Sequence, residues 1–139
     1  MSALSEGTRD LLRDALAQMW APVTLHLFAG EGAVSAEARR HAREIAVLAP
    51  KVTLEEHDVV GDAETAARFG VEHAPALVIV SDRDRGIRVY GAPAGYEFMT
   101  LVDTILMASS GDSGLSPASR ARLAALTGPL DVLVFVTPT

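Results

Sequence analysis

Cysteine is missing from all 139 residues. That absence excludes disulfide bonds, thiolate metal sites and cysteine nucleophiles in this chain, whatever its fold. Long apolar runs are missing too: none approaches the roughly 20 residues that span a bilayer, so no membrane span is expected. Positive charge is in deficit, with 12 Lys and Arg against 18 Asp and Glu and a formal net charge of −6. This disfavours a non-specific nucleic-acid surface. The opening MSALSEGTRD contains no apolar signal region, which places the chain by default in the cytoplasm.

What is present describes a soluble globular protein, 49% hydrophobic and 22% charged. A chain of this length supports one core that removes roughly two thirds of its unfolded surface from water. The organising stretch is Val71 to Phe98, VEHAPALVIVSDRDRGIRVYGAPAGYEF. Its Ala76 to Val80 run is continuously apolar, as in a strand covered on both faces, and Ile87 to Tyr90 alternates like a partner nearer the edge. Ser81 to Gly86 joins them as a hairpin turn, and Pro75 opens the first strand where one amide can be spared.

Upstream, Thr8 to Trp20 has amphipathic helical spacing through Leu12, Ala15, Leu16 and Met19. Val23 to Phe28 reads as a strand inside the sheet, and Ser35 is the expected N-cap of a helix with an Ala38, Ala42, Ile45, Ala46, Ala49 stripe. Lys51 to Val60 reads as a strand with one wet face. So short a strand-helix-strand unit should leave its two strands parallel. A short helix spans Asp62 to Phe69, and after the hairpin Phe98, Leu101, Val102, Ile105 and Leu106 share a helical face. Gly111 to Gly114 reads as a linker. Ser116-Pro117 then starts a helix, Gly128-Pro129 stops it, and Asp131 to Val136 (DVLVFV) carries a strand signal with nothing following to cover it. The expectation is a piece cut just inside a second domain, with the lone strand paired to another copy or packed back on its own domain.

Gly30-Glu31-Gly32-Ala33-Val34-Ser35, with Glu55 or Glu56 about 20 residues on, partly matches a dinucleotide fingerprint. Ser35 stands where the third glycine belongs, and the following hairpin replaces a second mononucleotide half. The four histidines, His26, His41, His57 and His73, show no i, i+4 pair, so no metal site and no cofactor is expected. His41, with Glu37, Arg40 and Glu44, reads as a solvated helix surface. No Ser, His, Asp constellation follows from the sequence, and Glu55 and Glu56 point to opposite faces of a strand.

The order helix, strand, helix, strand, helix, hairpin, helix, with Ala74-Pro75 opening the hairpin, resembles a thioredoxin fold and its cis-proline loop. GIRVYGAPAGYEF and DVLVFVTPT resemble the first unit, and the start of the second, in the glutaredoxin-like protein disulfide oxidoreductases. KVTLEEHD and Ser35-Ala36-Glu37 are similar also to the N-terminal domain of the alkyl hydroperoxide reductase flavoprotein. The resemblance implies an α/β thioredoxin-like fold: a mixed four-stranded sheet, a parallel strand-helix-strand unit plus an antiparallel hairpin, flanked by helices. It implies a thioredoxin-like domain without CxxC over residues 1–111. Residues 112–139 would then be the linker, helix and first strand of a second, truncated unit.

After FVTPT the family continues into a Cys-Pro-x-Cys site. In its first unit the resemblance puts Val34 and Glu37 at the CxxC positions, facing a cis-proline loop of His73, Ala74 and Pro75, with Ser35, Glu37 and His73 as interaction candidates. Neither Val nor a carboxylate can form a mixed disulfide, so thiol exchange by this chain is excluded. The expected role is a redox-silent scaffold or protein-interaction unit for its own C-terminal CxxC unit, with a homodimer through residues 116–136 as a further expectation. The alternative is direct participation in disulfide or peroxide reduction by the full-length parent, with Glu37 or His73 assisting proton transfer.

Overall fold

Apolar residues alternate in β1 (Val23–Ala29), and both faces find cover. The computed structural model describes residues 4–136. In chain order these form α1 (Glu6–Leu16), β1, α2 (Ala33–Leu48), β2 (Val52–Asp58), α3 (Ala63–Arg68), β3 (Ala76–Val80), β4 (Asp84–Tyr90), α4 (Tyr96–Ser110) and α5 (Pro117–Ala124). Among the described residues four strands make one sheet in the order β2-β1-β3-β4. β1 and β2 are parallel, while β1 with β3 and β3 with β4 are antiparallel. The expected mixed sheet and its hairpin are therefore present.

Alternation sorts the sheet's side chains into two cores. Val23, Leu25, Leu27, Leu77 and Ile79 pack with Leu12 and Leu16 of α1, Ala42 and Ile45 of α2, and Leu101 and Ile105 of α4. Phe28, Ala76 and Val78 face the other way, against Ala66 and Val71 at α3. Buried Ser109 fastens the first layer: its hydroxyl donates to the Ala21 carbonyl at 2.7 Å and accepts from the Ala21 N–H at 3.0 Å.

β4 uses five residues, Asp84 to Arg88, where β3 uses three, Val80 to Val78, so the hairpin carries a bulge. Gly86 sits within it at φ 81°, a conformation that side-chain-bearing residues rarely adopt. The bulge lets Arg88 fork onto Asp84 at 2.9 and 2.6 Å while donating to the Phe69 carbonyl at 3.0 and 2.8 Å. Arg88, helped by the Gly86 N–H, lowers the Asp84 carboxyl to about 2. The ionised form thus stabilises the fold above the ordinary value of 3.8, and that contribution fades as pH falls through about 2. Asp84→Asn should cost about 1 kcal/mol near pH 7 and almost nothing near pH 2, read from urea unfolding at both. An equal penalty at both would overturn this.

Three expectations are corrected. Gly32, not Ser35, is the N-cap of α2, at φ 99°. Ser35 lies buried inside the first turn, where its hydroxyl accepts from the Gly30 N–H at 3.3 Å and closes the loop from within. His41 and Glu44 are buried rather than solvated. Phe98 of α4 meets the His41 ring edge-on at 5.3 Å, and Arg9 of α1 reaches Glu44 at 3.7 Å, so two other helices cover that face. Residues 131–136 form no strand and are exposed, Phe135 to 90%, because a strand needs a neighbouring ladder and the chain offers them none. The Ser116 cap and Pro117 at the first helical position of α5 are as expected, yet no residue of α5 is buried.

Candidate functional site

The register of β1 with β3 sets the site's position. Phe28 pairs with Ala76, so Ala29-Gly30 and Pro75-Ala74 leave the sheet at the same end, bringing the entry to α2 beside the loop before β3. The Ala74–Pro75 peptide is cis. Pro75 is buried and its carbonyl accepts from the Gly91 N–H at 2.9 Å, while His73 is exposed with its ring edge-on to Tyr90 at 6.2 Å.

Across from this loop, α2 begins without a side-chain cap bond at Gly32. Its first amides leave a partial positive charge at the helix start. Val34 stands there 54% exposed. Glu37, one turn further on, is engaged along its own helix, with Arg40 at 3.3 Å and His41 at 4.0 Å. Among the described residues no hydrogen bond or ion pair joins Glu37 to His73. Topology therefore brings Val34, Ser35 and the Pro75 loop to one end of the sheet, but it does not couple the two candidate proton carriers. The arrangement sets the helix amides beside the loop that enters β3, with no thiol at either place.

No protein-family model matches the chain, and no curated protein does. Solved structures do match. A protein disulfide oxidoreductase from Aeropyrum pernix is 29% identical with a TM-score of 0.79, covering 89% of this chain and 56% of that one. The fold is thioredoxin-like. The N-terminal domain of the alkylhydroperoxide reductase AhpF from Enterococcus faecalis is 25% identical with a TM-score of 0.75, covering 88% of this thioredoxin-like chain and 61% of that one. Both resemblances expected from the sequence are thus found among solved structures. A thioredoxin from Halobacterium salinarum, 18% identical with a TM-score of 0.52, covers 82% of this chain and 89% of that one and shares the fold alone. The thioredoxin-like chain spans between half and two thirds of the length of the first two. Its antiparallel β3 leaves the Gly30 to Ser35 loop without the second parallel half that a dinucleotide site requires.

One group of side chains leaves no mark in linear spacing. His26, Glu55 and His57 come together on the α3 face of the sheet, their nearest ligand atoms all within 4.8 Å of one another. Linear spacing showed no histidine pair, which is why no metal site was expected; the cluster forms across two strands instead. The signal was available in part. Glu55 and His57 alternate onto one face of β2, His26 lies on one face of β1, and only the register His26 to Glu55 was missing. Burial pushes His26 below its ordinary value, with Glu55 opposing and His57 and Arg68 reinforcing that shift.

Proposed function

We propose that this chain acts as the redox-silent thioredoxin-like unit of a thiol-disulfide oxidoreductase, a scaffold and docking partner for a CxxC unit, with no thiol exchange of its own. The observation that carries this reading is the pairing of an intact loop and helix start with a sequence that has no cysteine. Thiol-disulfide exchange requires an attacking thiolate, which these residues cannot supply. The backbone ahead of Pro75 and the exposed His73 remain able to pair with an extended segment, and the apolar Leu130 to Val136 stretch offers a second contact for the same partner.

The alternative, Glu37 or His73 as a proton carrier for a neighbouring CxxC, has less support. Glu37 is committed to Arg40 and lies beside His41 on its own helix. An insulin-reduction assay on this chain should give no turnover above buffer, and measurable turnover would sink the scaffold reading. Titration of the 15N-labelled chain with a separately expressed thioredoxin-like CxxC unit should shift Val34, Ser35, His73 and residues 130–136. Unchanged resonances at all of these would rule out docking.

A further inference from the structure

The cluster missed by linear spacing sits apart from the Pro75 loop, within the strands. Parallel pairing sets His26 beside Glu55 and Phe28 beside His57, so alternation turns all three polar side chains to one face. His26 Nδ1 lies 3.2 Å from His57 Nε2 and 3.2 Å from Glu55 Oε2, and His57 Nε2 lies 3.9 Å from Glu55 Oε2. Hydrogen bonding alone serves this triangle poorly, because a proton on Nδ1 can point at only one of its two neighbours. A cation at the centre satisfies all three acceptors together.

The dimensions fit. Nitrogen and oxygen ligands about 2.0–2.1 Å from a tetrahedral ion stand roughly 3.3–3.4 Å from one another. Two edges of the triangle are already near that length, and the third closes by a small movement of Glu55, whose side chain is 52% exposed. The rings, by contrast, are held. His57 stacks on Phe28 with centroids 4.7 Å apart, and His26 leans on Phe69 at 4.5 Å. Two imidazoles and one carboxylate suit borderline ions such as zinc, whereas calcium and magnesium prefer all-oxygen sites.

We propose that His26 Nδ1, His57 Nε2 and Glu55 Oε2 form a binding site for a divalent transition-metal ion, zinc foremost, with three protein ligands and a fourth position open to solvent through half-exposed Glu55. A three-ligand site with an open position can take water or a small anion as its fourth ligand. The site is independent of the scaffold reading, since it uses no residue of the Pro75 loop or of the α2 start.

The test uses the tag-free chain, stripped with EDTA and dialysed. Cobalt(II) titration should give visible absorption saturating near one equivalent, displaced by zinc(II), and calorimetry with zinc should give the same stoichiometry. His57→Gln and Glu55→Gln should each weaken zinc binding by at least about tenfold, whereas His73→Gln, on the separate loop, should leave it unchanged. Circular dichroism checks that the variants fold. Should His57→Gln fail to fold, half-exposed Glu55 still carries the test. Absence of saturable cobalt or zinc binding would overturn the proposal, and so would unweakened binding in Glu55→Gln, or loss of binding in His73→Gln.

Discussion

Phe28→Ala should cost about 3–5 kcal/mol of unfolding free energy and lower the melting temperature by on the order of 10–20 °C. Phe28 is wholly buried at the centre of the smaller core, between the sheet and α3, where Ala66, Val71, Ala76 and Val78 surround it. It also meets the Phe69 ring at 5.9 Å and supports the His57 ring. Truncation removes both the transfer free energy and the packing of every neighbour, and paired β1 and β3 cannot close inward to fill the space. For most single domains such a loss is a third or more of total stability. Leu133→Ala, at an exposed position of similar hydrophobicity, should stay within about 0.5 kcal/mol. Urea unfolding followed by circular dichroism gives both values, and a Phe28→Ala penalty under about 1.5 kcal/mol would show that α3 is not packed as described.

The double substitution Val34→Cys with Glu37→Cys should convert an inactive chain into one with measurable insulin-reducing turnover. Position 34 lies at the start of α2, exposed, where helix amides favour a thiolate, and position 37 lies one turn on along the same face. Removing Glu37 also removes a carboxylate that opposes that thiolate. The two Cβ atoms of an i, i+3 pair are about 5–6 Å apart, beyond the roughly 3.5–4.5 Å of a relaxed disulfide. The engineered disulfide should therefore be strained and easily reduced. Val34→Cys alone should show a thiol that titrates below the ordinary value near 8.5, whereas Val47→Cys, late in α2 and exposed, should titrate normally. Iodoacetamide alkylation against pH measures both. Equal profiles would remove the physical basis for calling the α2 start a site, and no turnover from the double variant would show that the loop and helix start are not arranged for exchange.

How far the sequence went depended on the range of the forces involved. Strand alternation and helical stripes are local, so β1 to β3, α2 and α4 are legible from their own residues, as is β4 from Ile87 on, while Asp84 to Gly86, which read as turn, belong to β4; the short crossover gives the parallel pairing of β1 with β2. The α2 cap was misread because serine and glycine both precede its apolar stripe, and the choice rests on a backbone angle at Gly32. His41 and Glu44 read as solvated because their covers, Phe98 of α4 and Arg9 of α1, lie far from α2 along the chain. The histidine cluster depended on register, where a shift of one residue would turn Glu55 and His57 to the opposite face. DVLVFV has every local mark of a strand, but pairing is a property of two segments.

The bulge in β4 also makes the two borders of the sheet unequal. Along β2, seven residues pair in unbroken step with β1, so its outer amides and carbonyls repeat evenly; along β4 the spacing breaks between Asp84 and Arg88. A visiting strand needs an even row of donors and acceptors, and only the β2 border supplies one over its whole length. The carboxylates along β2 are already engaged within the chain, Glu56 by Arg43 at 2.6 and 2.9 Å and Asp58 by the Val60 and Gly61 N–H groups. A strand added to this sheet would find a regular ladder beside β2 and a broken one beside β4.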